Sequence, residues 1–252
     1  MNLGKADRAA LAARIDAASL RAWPALHEEH FDGWLLRDTR GFTKRANSVS
    51  APDRSTQPLG EKIEFCRAWY AQRRLPCIFR LTDMQPDAQL DERLAARGFE
   101  HLDQTAVLYH LLEDLPEQPG AGQAEEADTW FDAQHRLSRT TGEAARLHRL
   151  LVEGCGLRHH YRSRRRGSTI VACALGIEDS PLFGVFDVVT DPAARRAGHA
   201  RALMIELLHQ ARQSGASCLW LQVVADNTSA RRLYESLQFE LAYHYWYRRE
   251  RT

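Results

Sequence analysis

VVTDPAARRAGHARALM, residues 188 to 204, is the stretch on which the reading of this chain turns. It opens on β-branched residues, Val188 to Thr190, which suit a strand, and breaks at the turn pair Asp191-Pro192. From Ala200 onward, apolar residues recur at Leu203, Met204, Leu207, Leu208 and Ala211, the spacing of one helix face. Strand and helix are joined through Arg195, Arg196, Ala197, Gly198, His199 and Ala200, an R-x-x-G-x-A pattern at a helix start. The first backbone N–H groups of a helix lack intrahelical acceptors and carry partial positive charge, so such a start can seat a pyrophosphate. Gly198 and Ala200 let phosphate oxygens approach the main chain, and Arg195, Arg196 and Arg201 add charge around it. The same residues would also make a small-residue helix start packed closely on a strand, and the segment alone does not choose.

A second pattern follows. The apolar run CLWLQVV, a buried strand, leads into Asp226 and Asn227 and then Ala230, Leu233, Tyr234 and Phe239, the order N-x-x-A-x-x-L-Y-x-x-x-x-F. With both motifs in this order, the chain from Phe183 to its end resembles the GNAT superfamily of N-acyltransferases. The loop DPAARRAGHA corresponds to that family's pyrophosphate loop, and Asn227 through Tyr234 to its second acyl-CoA motif. Two departures stand out: Ala200 replaces the usual second glycine, and Gln238 stands where glycine often precedes the phenylalanine.

The resemblance implies an acyl-CoA, most simply acetyl-CoA, as cosubstrate, no metal, and direct attack by a primary amine of a small molecule or a protein in a ternary complex. It places the diphosphate on Arg195 to Arg201 and the pantetheine arm beside Val188, Val189 and Thr190, with a main-chain N–H near Val188 or Val189 facing the thioester oxygen. Tyr234 matches the general acid; otherwise it is a half-buried helix aromatic. Asn227 either bonds the pantetheine arm or caps the helix after it, a role Asn favours. Asp187 is the base suggested by the residues themselves, because a carboxylate in a mostly apolar strand needs an explanation, a satisfied bulge position being the other one. His199 is a further candidate, set against a packed or solvated first-turn histidine. The rival reading is a non-catalytic acyl-CoA-binding module, and the retained Tyr234 favours the enzyme.

The first half echoes the second. AQRRLPCIFRL, LDERLAARGFE and TAVLYHLL run in the order of ARQSGASCLWLQ, ARRLYESLQFE and LAYHYWYRR, with Cys77 matching Cys218 and Phe99 matching Phe239. The first half has PLGEKI where an arginine-rich loop would fall, and Leu94 or Ala95 where the tyrosine would. We therefore expect an α/β (mixed α+β) chain of tandem GNAT architecture, with a mostly antiparallel central sheet flanked by helices in each half. The expected division is a degenerate unit over 1–115, a Pro, Gly and acid-rich linker over 116–127 with its boundary near Gly120, and the catalytic unit over 128–252. Helices are expected at Ala6–Ala22, Glu61–Arg74, Asp128–Leu137 and Gly142–Val152, the last with Thr140 and Glu143 as a capping box. STIVACALGIE and LFGVFDVVT should form a hairpin turning at Asp179 to Pro181.

Composition narrows the partners. The 252 residues are 44% hydrophobic with 34 basic and 33 acidic side chains, a globular balance with no global field for nucleic acid or a charged membrane. RHHYRSRRRG, residues 158 to 167, reads as a solvated hairpin tip that could instead favour an acidic acceptor or a 3′-phosphate. The cysteines, at 66, 77, 155, 173 and 218, form no C-x-x-C pair, which excludes a zinc ribbon and a disulfide framework. With no signal-like or membrane-length apolar run, the expectation is a cytoplasmic monomer or homodimer.

Overall fold

The computed structural model describes residues 4–113, 115 and 122–251; the expected boundary at Gly120 lies outside them. Two compact units emerge, and neither is contiguous. One comprises 1–22, 107–223 and 227–242, and the other 23–106, 224–226 and 243–252.

The smaller unit is built from β1 (His27–Phe31), β2 (Trp34–Asp38), β3 (Val49–Ser50), α2 (Leu59–Gln72), β4 (Ile78–Thr82), α3 (Leu90–Ala96) and the start of β5 (Glu100–Leu111); α1 (Lys5–Ala22) belongs to the larger unit. Its strands run β1-β2-β3-β4, with β3 and β4 parallel through Val49↔Phe79 and Ser50↔Arg80. One face is apolar, and Trp34, Leu36, Val49, Phe79 and Leu81 pack there with Ile63, Cys66 and Tyr70 of α2 and Leu90 and Leu94 of α3. The stretch RANSVSAP, residues 45–52, holds only the two-residue strand β3, because Lys44–Ala46 turn into a 3-10 helix, where Asn47 Nδ2 bonds the carbonyls of Phe42 and Thr43.

The larger unit adds β6 (Gln123–Ala124), α4 (Ala127–Ser138), α5 (Gly142–Gly154), β7 (Arg158–Arg166), β8 (Thr169–Asp179), β9 (Leu182–Thr190), α6 (His199–Gln213), β10 (Cys218–Val224), α7 (Thr228–Ser236) and the start of β11 (Glu240–Arg249). Its strands run β5-β10-β9-β8-β7-β6, antiparallel except for the β9–β10 pair. The mixed α/β, mostly antiparallel class expected from sequence is the one observed. The hairpin β8–β9 turns at Ser180-Pro181, closed by the pair Asp179↔Leu182.

Three local expectations are corrected. Residues 123–124, within the expected linker, form β6, and Glu125 beside it bonds Ser163 and Arg165, so polar residues there are engaged rather than free. RHHYRSRRRG is strand β7 as far as Arg166, with the hairpin tip only at its end before Thr169, and its arginines are not all solvated: Arg162 is buried against Gln210 and Glu206, and Arg165 pairs with Glu125. Helix α5 starts one residue later than a Thr140 cap would set it, with Thr141 at the cap; Thr140 bonds the Ser138 hydroxyl and Glu143 turns to Arg146.

The echo between halves is structural as well. α3 ends with the Phe99 N–H on the Leu94 carbonyl (3.1 Å), and α7 ends with the Phe239 N–H on the Tyr234 carbonyl (3.0 Å). Leu94, not Ala95, thus occupies the position of Tyr234. The residue between helix and phenylalanine is left-handed in both, Gly98 at φ 82° and Gln238 at φ 61°, so the Gln238 departure keeps the conformation glycine would supply.

Candidate active site

Strand β9 changes character halfway. Its parallel register with β10 runs from Cys218↔Leu182 to Leu221↔Val185 and stops, while β8 remains its paired neighbour to Ala172↔Thr190. Beyond Phe186, β9 therefore runs on from Asp187 to Thr190 outside the parallel register with β10. Here a bulge falls: Leu175 faces Phe186 and Cys173 faces Val189, so two residues of β9, Asp187 and Val188, stand opposite Ala174 alone. Asp187 takes φ 52°, in the left-handed region that Asp tolerates better than bulky residues. Val188, Val189 and Thr190 follow, half-buried.

The loop after β9 ends at the start of α6. The Asp191 N–H bonds the Val171 carbonyl (2.8 Å), and its carboxylate accepts the Ala193 N–H (2.9 Å), which fixes the exit from the strand. Arg195, Arg196 and Ala197 are exposed, and Gly198, at φ 78°, is the residue before the first helical turn of α6 and has no side chain to cap it. The Ala202 N–H closes that turn on the Gly198 carbonyl (3.0 Å). A Cβ at Gly198 would meet nothing within 4 Å, so the space over the helix start is open, as a diphosphate seat requires. His199 and Ala200 are half-buried and Arg201 exposed; the His199 Nδ1 is buried without a hydrogen bond among the described residues.

Gly198→Ala should keep the fold, because the site is exposed, yet strain the left-handed position by about 1–2 kcal/mol and disturb the N–H groups. Acetyl-CoA affinity measured by calorimetry should fall about 10- to 100-fold, the value of one or two charge-assisted hydrogen bonds, and Gly198→Val should be weaker still. Wild-type affinity in both would remove the diphosphate from this helix. The corresponding helix start of the smaller unit is different: α2 starts at Leu59 after Pro58, with Glu61 and Lys62 N–H groups both on the Pro58 carbonyl and Lys62 itself buried.

α7 carries the remaining sequence candidates. Asn227 is exposed and caps the helix, its Oδ1 accepting the Ala230 N–H at 3.1 Å, so of the two roles open to it the cap is observed. Tyr234 is 6% exposed, its ring 5.7 Å from that of Phe239, and burial pushes its hydroxyl up to about 12. It is protonated at neutral pH.

Two histidines that the sequence did not single out converge on Asp187. His148 of α5, 3% exposed, places Nε2 2.9 Å from Asp187 Oδ2, and its Nδ1 lies 2.8 Å from Nε2 of His135 on α4. The reading of Asp187 as a satisfied residue at a bulge is thus half right: it is at a bulge, and it has a titratable partner. Among the described residues no cluster of side chains suited to a metal ion occurs. No described helix is long and apolar enough to cross a membrane.

The strand that parts from its parallel neighbour at a bulge, and the glycine-started helix under exposed arginines, are the elements on which the sequence resemblance to the GNAT superfamily placed the cofactor. Residues 13–248 match the family described as "Probable histone acetyltransferase Rv0428c C-terminal", and the chain belongs to that family, within the GNAT superfamily of acyl-CoA-dependent acetyltransferases. It is 23% identical over 246 residues to the "Uncharacterized N-acetyltransferase YobR" of Bacillus subtilis, covering 94% of this chain and 98% of that one. Among solved structures it is similar to a GCN5-related N-acetyltransferase from Kribbella flavida, with TM-score 0.73, 19% identity and 96% of each chain covered. It is also similar to a tandem GNAT protein from the clavulanic acid biosynthesis pathway, with TM-score 0.58, 12% identity, and 80% of this chain and 75% of that one covered.

Proposed function

We propose that this protein transfers an acetyl group from acetyl-CoA to a primary amine, of a small molecule or a protein, by direct attack in a ternary complex. The observation that carries the reading is the parting of β9 from β10 after Val185, which leaves one edge of Val188 to Thr190 outside the β9–β10 register beside the bulged Asp187. Acetyl-CoA, when bound, supplies an activated thioester whose oxygen gains negative charge as the amine attacks. The N–H groups of α6 behind Gly198, with Arg195, Arg196 and Arg201, hold the diphosphate. The free edge of Val188 to Thr190 pairs with the amides of the pantetheine arm, and the amide N–H2 of Asn227, not needed for the cap, is available to the same arm. A main-chain N–H at Val188 or Val189 donates to the thioester oxygen. An alkylamine has a reference pKa of about 10.4 and reaches the site protonated, so a base is needed, and Asp187 accepts the proton. Tyr234, kept protonated by burial, returns one to the leaving thiolate.

Thiol release from acetyl-CoA across a panel of primary amines tests the reading. Wild-type protein should turn over at least one amine class, and Tyr234→Phe, which keeps the ring packing, should lower kcat about 10- to 1000-fold with acetyl-CoA affinity unchanged. Tight acetyl-CoA binding with no release from any amine would make the chain a binding module.

A further inference from the structure

Asp187, His148 and His135 form an unbroken line of hydrogen-bonded titratable groups drawn from three elements, at 2.9 and 2.8 Å. The line is held rigidly. The His148 ring sits 5.6 Å from Phe131 and 6.4 Å from Trp130, and His135 is 5.1 Å from His148 and 5.7 Å from Phe131. Trp130 is itself pinned by Nε1, which donates to the carbonyls of Arg162 and Ala174 at 3.2 and 3.1 Å. An aromatic frame of this kind fixes both rings, so the hydrogen bonds and not the rotamers decide where protons sit.

Two of the proton arrangements that satisfy both contacts decide what Asp187 can do. With both rings neutral, His135 Nε2–H donates to His148 Nδ1, and His148 Nε2–H donates to Asp187 Oδ2. With one proton added, His148 is an imidazolium that donates at both nitrogens, to His135 and to Asp187. In the first arrangement Asp187 is a carboxylate oriented by a neutral N–H, with Oδ1 lacking a hydrogen bond among the described residues. In the second an imidazolium nitrogen lies 2.9 Å from it, and the carboxylate is held as one half of an ion pair.

We propose that His148 and His135 are positioning residues for Asp187: while neutral they aim its free Oδ1 at the acceptor amine, and a proton taken up by the pair withdraws Asp187 from the reaction. The inference rests on the acetyl-transfer reading above. In the productive state the amine's proton moves to Asp187 Oδ1, the nitrogen–carbonyl bond forms as the carbonyl–sulfur bond of the thioester breaks, the leaving thiolate takes its proton from Tyr234, and His148 keeps its own proton throughout. Burial, with His148 beside it, holds His135 below the ordinary imidazole range, so the neutral arrangement prevails at pH 7 and is lost as pH falls. The other charged or titratable groups around the pair are Asp132 and Arg136 on α4, Arg149 on α5, Tyr161 on β7 and Cys173 on β8. Asp132 pulls His135 up and Arg149 pulls it down, Arg149 being paired with Asp128 and Glu153. Tyr161 and Cys173 are pushed up by burial and stay neutral near pH 7, and Arg136 bonds the Ile170 carbonyl.

The test compares kcat/KM against pH, between about 5.5 and 8.5, for one amine in wild type, His148→Gln, His148→Ala and His135→Gln. His148→Ala should lose about 10- to 100-fold in kcat at all pH, with acetyl-CoA affinity unchanged. His148→Gln, which keeps an N–H donor but cannot protonate, should restore most of that loss and flatten the fall toward low pH; His135→Gln should move the fall without a large loss at pH 8. A wild-type pH profile in His148→Gln, or equal losses in His148→Gln and His148→Ala, would overturn the proposal. Should His148→Ala fail to fold, NMR titration of histidine-labelled full-length protein decides independently: Asp187→Asn should lower the His135 midpoint further, and an unchanged midpoint would overturn the coupling. Wild type inactive on every amine, with that coupling intact, would sink the acetyl-transfer reading instead and with it the catalytic role of the pair.

Discussion

Asp187→Asn is expected to lower kcat about 100- to 10,000-fold while leaving acetyl-CoA affinity and folding nearly untouched, the range of a lost general base. The substitution isolates the chemistry because of where it falls. Asp187 sits at φ 52°, and Asn is among the side chains best tolerated there, so the bulge against Ala174 survives. The amide oxygen still accepts the His148 N–H that now reaches Oδ2 at 2.9 Å, so the buried imidazole keeps its partner. Only the capacity to take a proton is gone. Asp187→Ala is the contrasting variant, since it strains the left-handed position and takes away the carboxylate that His148 Nε2 reaches, at a cost of about 1–3 kcal/mol. A kcat for Asp187→Asn equal to wild type, with chemistry rate-limiting, would return Asp187 to the bulge as a purely structural residue.

What could be read from the sequence was local, and what could not was long-range. Gly198 announced itself because one residue type suits an exposed left-handed helix start, and α6 because Leu203, Met204, Leu207 and Leu208 keep a helical period and are all buried. Tyr234 and Phe239 were legible as a motif, and the structure shows why their spacing holds: the Phe239 N–H closes the helix on the Tyr234 carbonyl at 3.0 Å. β1 was invisible, since HEEHF has four exposed residues and no alternation, and its strand state comes from pairing with β2 through Phe31↔Trp34. The arginines of β7 looked solvated because nothing in RHHYRSRRRG reveals that Glu206 and Gln210, some 45 residues on, will meet Arg162. His148 and His135 escaped notice for the same reason. Each lies on a helix face that reads as ordinary amphipathic packing, and only the tertiary approach of α4 and α5 to the bulge of β9 makes them chemical. The partner exchange of the last strands was also beyond the sequence: β10 has β5 as its neighbour, and β4 has β11, so each unit completes its sheet with a strand from the other half of the chain.

That exchange sets the largest stability effect we expect: a fragment beginning at Gln123 should be insoluble or inactive. It contains every residue assigned to the site, yet it lacks α1 and the part of β5 from Val107 on, which belong to the same compact unit. Leu11, Ile15 and Ala18 of α1 are buried there, and Arg21 pairs with Asp179 at 2.7 Å beside the β8–β9 turn. From β5, Val107, Leu108 and Tyr109 are buried, the Tyr109 hydroxyl donates to Glu240 at 2.9 Å, and the Leu112 N–H just beyond bonds the Ser217 carbonyl at 3.0 Å. Each large apolar side chain buried is worth about 1.5–3 kcal/mol, so losing Leu11, Ile15, Val107 and Leu108 together approaches the roughly 5–15 kcal/mol by which a domain is stable at all. Without β5, β10 becomes an open edge running CLWLQVV, an aggregation template of the kind native sheets cover. At the far end, Tyr245 and Tyr247 lose Thr82 and Arg80, their partners on β4, and two buried aromatics come into water. Expression of 123–252 followed by fractionation and thiol-release assay checks this, and co-expression of 1–122 as a separate chain should recover soluble, active protein. A soluble fragment with full activity on its own would show that α1 and β5 contribute nothing the catalytic unit needs.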